Sequence, residues 1–300
     1  MLKFPWMAAR LALAALSAVV SACSAITFGI ANAPALFGPY ERTTAIAYGP
    51  DKRQRLDVYV PAPDATKETA HGKPVVIFWY GGAWQGGSRS EYRFVGAALA
   101  KRGFVTVLPD YRLYPQVKFP EFLDDAAHVV AWVQQHAQEF GGDPHRIVLM
   151  GHSAGAHMAA FLALDRALLE KNGAKPDWIA GLVGLSGPYA LVPNSKVLET
   201  IFARPYSESD WQPVSFVTPQ APPTFLAQGL ADRVVALAHT EKLRDLLVAN
   251  GVRVETHLYP GRSHEDTVAG FSVPARGRLP VFEQAVQFIE SVAPRSDPSR

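Results

Sequence analysis

Six short apolar runs, spaced by stretches of helical character, limit this chain more than any other feature. They are "PVVIFWY" from residue 74, "GFVTVLP" from 103, "RIVLM" from 146, "IAGLVGLS" from 179, "PTFLAQG" from 223 and "VRVETHLYP" from 252. Unbroken runs of this length are what strands covered on both faces look like, and such strands belong to parallel sheets. Between two of the runs, Phe122, Ala126, Val129, Val130, Val133, Ala137 and Phe140 recur at spacings of three and four, the stripe of an amphipathic helix. Strand alternating with helix closes by right-handed crossovers. The sequence therefore predicts an α/β fold, a mostly parallel sheet with helices on both faces. "QRLDVYVP", residues 54–61, differs: Leu56, Val58 and Val60 alternate, the period of a half-buried antiparallel strand.

With 300 residues, 48% hydrophobic and 19% charged, the chain has the apolar content for one large domain. The formal charge is +2 and the basic residues are scattered, so no electrostatic footprint for nucleic acid is present. The first residues are different in kind. In "MLKFPWMAARLALAALSAVVSAC", Lys3 and Arg10 precede the apolar run 11–20, and small residues lead to Cys23. This pattern reads as a secretory signal, too short for a comfortable membrane span. The residues "VSAC" resemble the lipobox of bacterial lipoproteins, in which the cysteine is acylated and becomes the new N-terminus. That resemblance implies a signal peptide over 1–22, lipidation at Cys23 and a membrane-anchored, exported protein of the bacterial cell envelope. Ser24 resembles the residue of lipoproteins forwarded to an outer membrane. The other reading is a signal or anchor cut elsewhere, with Cys23 merely a small residue in it. As Cys23 is the only cysteine, no disulfide can form within the chain. Residues 23–40 read as a tether, and 41–300 as the folded domain.

Residues 187–222 break the alternation. They are rich in proline and carry Tyr189, Phe202, Tyr206, Trp211 and Phe216 with few periodic positions, too long for an ordinary connection. Because strand ends carry the site in such sheets, this insert reads either as a wall or lid over it or as a plain surface excursion.

In "RIVLMGHSAGAHMAA" an apolar strand ends in a serine between two glycines and continues as small helical residues. Ser153 thus sits at a strand-to-helix corner, where Gly151 and Gly155 permit a strained turn and the helix from Ala154 aims its N–H groups at the hydroxyl. A serine needs a base to act as a nucleophile, and the base needs an orienting group. Of the nine histidines, His152 and His157 lie in the elbow and its helix and read as packing residues. His71, His128, His136, His145 and His239 read as surface or helix positions, and His257 alternates within a strand. His264, in the Gly-containing loop "YPGRSHED" after the last strand, is placed to hang over the sheet's carboxyl edge. Asp232, in "FLAQGLADRVV", falls in the loop after the preceding strand, so the chain order is Ser153, Asp232, His264. Asp210 and Glu208 in the insert are the alternative acids. "WYGGAWQGG", residues 79–87, follows a strand, and its glycines let the backbone present the amides of Gly82 and Ala83; Ala154 would supply a third oxyanion donor.

Together "YGGAW", "DYRLYPQVKFP", "FGGDPHRI", "GHSAGAH", "GLADRVV" and "YPGRSHED" resemble the esterase/lipase branch of the α/β-hydrolase superfamily. The likeness, over residues 45–292, is to small carboxylesterases of the hormone-sensitive-lipase, feruloyl/acetyl-xylan and kynurenine-formamidase types. It implies a serine hydrolase of small ester substrates, with amidase or formamidase activity, or a non-catalytic lipid-anchored binding protein, as alternatives. It also places Trp84 and the insert at the carboxyl edge, so Trp84, Tyr189 and Trp211 are expected to line a substrate pocket narrow enough to favour short acyl groups. Many relatives have histidine where this chain has Tyr80, which would then take over a loop-supporting hydrogen bond. Asp110, Tyr111 and Arg112 match a segment that braces the active-site edge. No metal, nucleotide or cofactor motif is present, and none is expected.

Overall fold

The computed structural model describes residues 26–63 and 72–294; the leader, Cys23 and His71 lie outside the described residues. Eight strands form one sheet: β1 Tyr40–Ala47, β2 Arg55–Pro61, β3 Lys73–Trp79, β4 Val105–Pro109, β5 Gly142–His152, β6 Ile179–Leu185, β7 Thr224–Gly229 and β8 Val254–Tyr259. Their order is β1-β2-β4-β3-β5-β6-β7-β8. The six apolar runs are β3 to β8, and every pairing among them is parallel. The expected α/β architecture is present.

β2 pairs antiparallel with both β1 and β4, as its period of two predicts. It is not half-exposed. Leu56 and Val58 are buried, and so are Asp57 and Tyr59 on the opposite face. The Tyr59 ring is covered by Gly96, while Asp57 accepts from the Arg89 guanidinium at 2.8 Å and from the Ala45 amide at 2.9 Å. A paired carboxylate can therefore occupy a covered position that periodicity would assign to solvent. β1 itself has no alternation to find. It is an exposed edge strand whose register shifts between Thr43 and Ile46, with Ala45 at φ 58°.

Five longer helices cover the sheet: α1 Arg93–Ala100, α2 Glu121–His136, α3 Ala154–Leu164, α4 Leu237–Ala249 and α5 Val281–Val292. α1 lies on β2, β3 and β4, and α5 on β6 and β7; Arg102 after α1 pairs with Glu283 of α5. α3 packs on β3, β5 and β6, with α2 beside it. Its sequence "AGAHMAAFLAL" has no polar face, and every residue of it is buried, as an all-round apolar helix must be.

The insert supplies the missing cover. Residues 187–222 fold into the short helices Lys196–Ile201 and Glu208–Trp211 and the 3-10 turn Pro213–Phe216. Phe216 sits 4.8 Å from Phe161 of α3, and the His157 imidazole donates to the Trp211 carbonyl at 2.7 Å. The insert is thus a packed cap on α3.

The part of the tether that is described is helical over 26–32 and continues as the 3-10 turn Ala33–Leu36. It is fastened to the domain: Asn32 donates to the Glu91 carbonyl at 2.8 Å and accepts from the Phe94 amide at 2.9 Å, and Phe28 packs 5.2 Å from Tyr92. Among the described residues no helix is long and apolar enough to cross a membrane.

Candidate active site

β5 turns into α3 through Ser153, whose φ of 55° and ψ of −123° lie where non-glycine residues rarely go, a strain of about 1–3 kcal/mol. Backbone against backbone dictates both flanking glycines. A Cβ on Gly151 would run into the Gly155 carbonyl, and one on Gly155 into the Trp79 carbonyl of β3. The corner is pinned by the Ser153 amide, which donates to the Leu185 carbonyl of β6 at 2.9 Å. The Ser153 side chain does not cap its own helix.

Asp232 follows β7, and both of its oxygens are occupied. Oδ1 accepts from the amides of Val234 and Val235, each at 2.8 Å, and Oδ2 from the Gln228 amide at 2.7 Å. His264 Nδ1–H donates to Oδ2 at 2.8 Å, with both side chains nearly buried. Burial raises the Asp232 pKa, but the amide donors and the His264 imidazole outweigh it and hold the carboxyl below the usual carboxylate range. This bond fixes the His264 tautomer and leaves Nε2 as the basic nitrogen. The His264 main chain is held as well: its carbonyl accepts from His152 Nε2 at 3.1 Å and from the Thr267 hydroxyl at 3.2 Å. The alternative acids do other work. Asp210 closes the capping box of its short helix with Ser207, and Glu208 accepts from Gln212.

His152, next to Ser153 in the chain, links the serine corner to the His264 loop: its ring lies 4.8 Å from that of His264. No Ser153–His264 hydrogen bond forms among the described residues; such bonds commonly tighten only on substrate. Burial drives His152 down to about 3 and His157 to about 4, so both stay neutral and structural. His239 accepts from the Ala190 amide and His257 stacks on Phe225.

The loop after β3 runs past the elbow: a Cβ on Gly81 would lie 2.9 Å from the Ser153 Cβ. Gly82, Ala83 and Trp84 have φ of 130°, 51° and 60°, three successive residues in the left-handed region. At Gly82 a side chain would also strike the Gly86 carbonyl. Gly82 and Ala83 are exposed and Ala154 is buried at the first turn of α3; among the described residues none of the three amides donates to a loop or turn carbonyl, which leaves them available to an oxyanion.

The expected pocket-lining residues are placed differently. Trp84 is buried, with its ring 4.8 Å from Phe202 and 5.1 Å from His157. Tyr189, at the start of the insert, is fully buried against Gly184 and Gly187. Trp211 is buried too, its indole N–H donating to the Leu191 carbonyl at 3.1 Å. All three are buried in packing contacts. Apolar aromatic character signals burial and pocket lining equally, so the sequence could not separate the two.

Tyr80 does take over a bracing role. Its hydroxyl donates to Asp110 at 2.9 Å and accepts from Arg53 at 2.8 Å. Asp110 also accepts from the Arg89 amide at 2.7 Å and pairs with the Arg89 guanidinium. Arg112 pairs with the buried Asp125 at 2.6 Å. Arg53, Arg89, Gln228 and Thr267 are the supporting residues that sequence reasoning missed, because nothing in their local pattern sets them apart. Among the described residues no cluster of His, Cys, Asp or Glu is spaced to hold a metal ion.

The BD-FAE family model matches residues 56–247. The probable isoprenylcysteine alpha-carbonyl methylesterase of Oryza sativa subsp. japonica is 32% identical over 274 residues, 83% of this chain and 63% of that protein. Esterase LipC of Mycobacterium tuberculosis is 31% identical over 228 residues, 68% of this chain and 56% of its own length. The chain thus spans about three fifths of the curated relatives it matches. Among solved structures, Esterase B of Lactobacillus rhamnosis superposes with a TM-score of 0.78 at 20% identity, covering 97% of each chain. Apo esterase 2 of Thermogutta terrifontis does so with a TM-score of 0.70 at 23% identity, over 86% of this chain and 97% of that one. These likenesses show the α/β-hydrolase fold.

Proposed function

We propose, for a chain that belongs to the BD-FAE family on an α/β-hydrolase fold, that it is a carboxylesterase acting through Ser153, His264 and Asp232. The observation that carries this reading is the 2.8 Å bond from His264 Nδ1–H to Asp232 beside a strained serine corner. Ser153 Oγ attacks the ester carbonyl carbon while its proton passes to His264 Nε2. The carbonyl electron pair becomes an oxyanion facing the amides of Gly82, Ala83 and Ala154, each such donor lowering the barrier by about 3 kcal/mol. Collapse of the intermediate expels the alcohol, which takes the proton from His264 and leaves an acyl-serine. Water repeats the sequence and frees the acid. Asp232, kept ionised by its donors, stabilises the imidazolium formed in each half.

Relatives named esterase and methylesterase support an ester over an amide as substrate. A short-chain acyl group is the proposed preference, supported by the aromatic packing of Trp84, Phe202 and Trp211 that fills the space behind the site. For location, the proposal is export and acylation at Cys23, supported by the leader sequence. Cys23→Ser would then abolish metabolic labelling with a palmitate analogue, and persistent labelling would remove that reading.

A fluorophosphonate probe tests the chemistry. The expected outcome is labelling of wild type and none of Ser153→Ala, together with hydrolysis of p-nitrophenyl acetate. Turnover of a formanilide in preference to every ester would make the protein an amidase, and no labelling at Ser153 would make it a binding protein.

A further inference from the structure

Eleven large apolar side chains are exposed among the described residues, and four of them fall within twelve consecutive positions: Ile26 (63% exposed), Ile30 (58%), Leu36 (58%) and Phe37 (79%). They form the outer side of the N-terminal segment whose inner side, Phe28, Asn32 and Ala35, is fastened against Tyr92 and α1. A surface segment that faces water carries charge on its outer side. This one carries none, and from residue 11 to residue 40 the sequence has no Asp, Glu, Lys, Arg or His. The uncharged chain therefore leads directly into the exposed apolar row. Across a groove from Ala31 and Pro34 stands Val273, also exposed. The charged side chains bordering that groove are Lys101 and Arg276, both cations.

We propose that residues 26–37, with Val273, form a lipid-contacting surface. Ile26, Ile30, Leu36 and Phe37 enter the headgroup and upper acyl region of a bilayer, while Lys101 and Arg276 meet anionic headgroups. The bordering charge favours lipid over a second copy of this chain, since a two-fold interface would use the same patch twice and bring two sets of these cations, with no acid beside them in the groove, into one interface. The surface also orients the enzyme. Asn32 binds the carbonyls of Ser90 and Glu91, the far end of the loop that carries Gly82 and Ala83. From there the segment runs along α1 to Lys101, which donates to the Phe37 carbonyl at 3.0 Å, so a segment seated in lipid turns the α1 face of the sheet toward the membrane. This inference needs no acyl group on Cys23 and stands or falls apart from the proposed esterase chemistry.

The test uses the full chain with Cys23→Ser, so that any thiol is an introduced one. Ile30→Cys, Phe37→Cys and, on α4, Val248→Cys are each labelled with an environment-sensitive fluorophore and mixed with phosphatidylcholine/phosphatidylglycerol vesicles. Blue-shifted emission at positions 30 and 37, shielded from an aqueous quencher, with no change at 248, is the expected result. In the same background Ile30→Glu/Phe37→Glu should lower vesicle partitioning by at least about tenfold, with hydrolysis of a soluble ester unchanged. Unshifted emission at 30 and 37 on vesicles overturns the proposal. So does unchanged partitioning of the double variant, or a blue shift without vesicles that grows with protein concentration, which marks self-association.

Discussion

The Nε2–H of His152 donates to the main-chain carbonyl of His264 at 3.1 Å, and the two imidazoles lie 4.8 Å apart. The residue before Ser153 therefore positions the loop that carries His264, the proposed base. His152 touches no reacting atom, so its loss should displace His264 rather than remove a catalytic group. His152→Leu is expected to lower kcat by about tenfold to a hundredfold, the scale of a displacement near 1 Å, with KM little changed. His152→Gln, which keeps a donor, should recover part of it. Unchanged kcat in His152→Leu would show that the other hydrogen bonds suffice to hold the loop.

Acid should destabilise this fold through the same residue. Burial lowers His152 to about 3 and His157 to about 4, against about 6.5 for the unfolded chain. Between those values the unfolded state binds the extra proton, so stability is intact above about pH 6.5 and is lost as pH falls. Each histidine should remove about 1.4 kcal/mol per pH unit within that window, or about 2 kcal/mol from pH 6.5 to 5. Urea unfolding at pH 7 and pH 5 measures it. His157→Gln should reduce the difference by one histidine's share, and an identical difference would mean that His157 takes up its proton as readily in the folded state as in the unfolded chain.

Ser153→Ala and His264→Ala should each reduce kcat by several orders of magnitude, and the double variant should be little worse than either, because the groups act as a unit. Asp232→Asn should cost less than either but far more than Asp210→Asn, whose carboxylate only caps its own short helix. Steady-state rates with p-nitrophenyl acetate read all five. A larger loss in Asp210→Asn than in Asp232→Asn would reassign the acid.

What the sequence disclosed follows from how local each signal is. The six apolar runs are strands because burial on both faces leaves an unbroken pattern, and the serine corner was legible because its two glycines are forced by contacts within a few residues and one neighbouring strand. Asp232 and His264 could be read from their places after adjacent strands. β1 was not legible, since an exposed, bulged edge strand imposes no pattern on its residues. Nor were the braces Arg53, Arg89 and Gln228, whose partners Tyr80, Asp110 and Asp232 are chosen by tertiary folding. Trp84, Tyr189 and Trp211, expected near the site, are buried in packing contacts; an aromatic side chain carries no mark of which surface it faces.

That placement separates two aromatics expected to act alike. Trp84 sits at φ 60° directly after Gly82 and Ala83, and its ring is held by Phe122, His157 and Phe202. It anchors the strained loop, so Trp84→Ala should lower kcat for every ester as the proposed oxyanion amides lose their position, each well-aimed donor being worth about 3 kcal/mol. The Trp211 indole belongs to the insert and meets the Trp84 cluster at Phe202, 5.8 Å away. Trp211→Ala should keep acetate turnover while opening space behind the wall. In wild type the chain-length profile should peak between acetate and butyrate and fall steeply by octanoate. In Trp211→Ala each added methylene that enters the new space gains about 0.8 kcal/mol, close to fourfold in kcat/KM, moving the optimum to longer chains. Either truncation also removes a buried indole, at about 3–5 kcal/mol of stability, so the profiles must be measured well below each variant's Tm. A wild-type optimum at decanoate or beyond would end the short-chain reading. Equal acetate turnover in Trp84→Ala and wild type would show that the loop holds its shape without the indole.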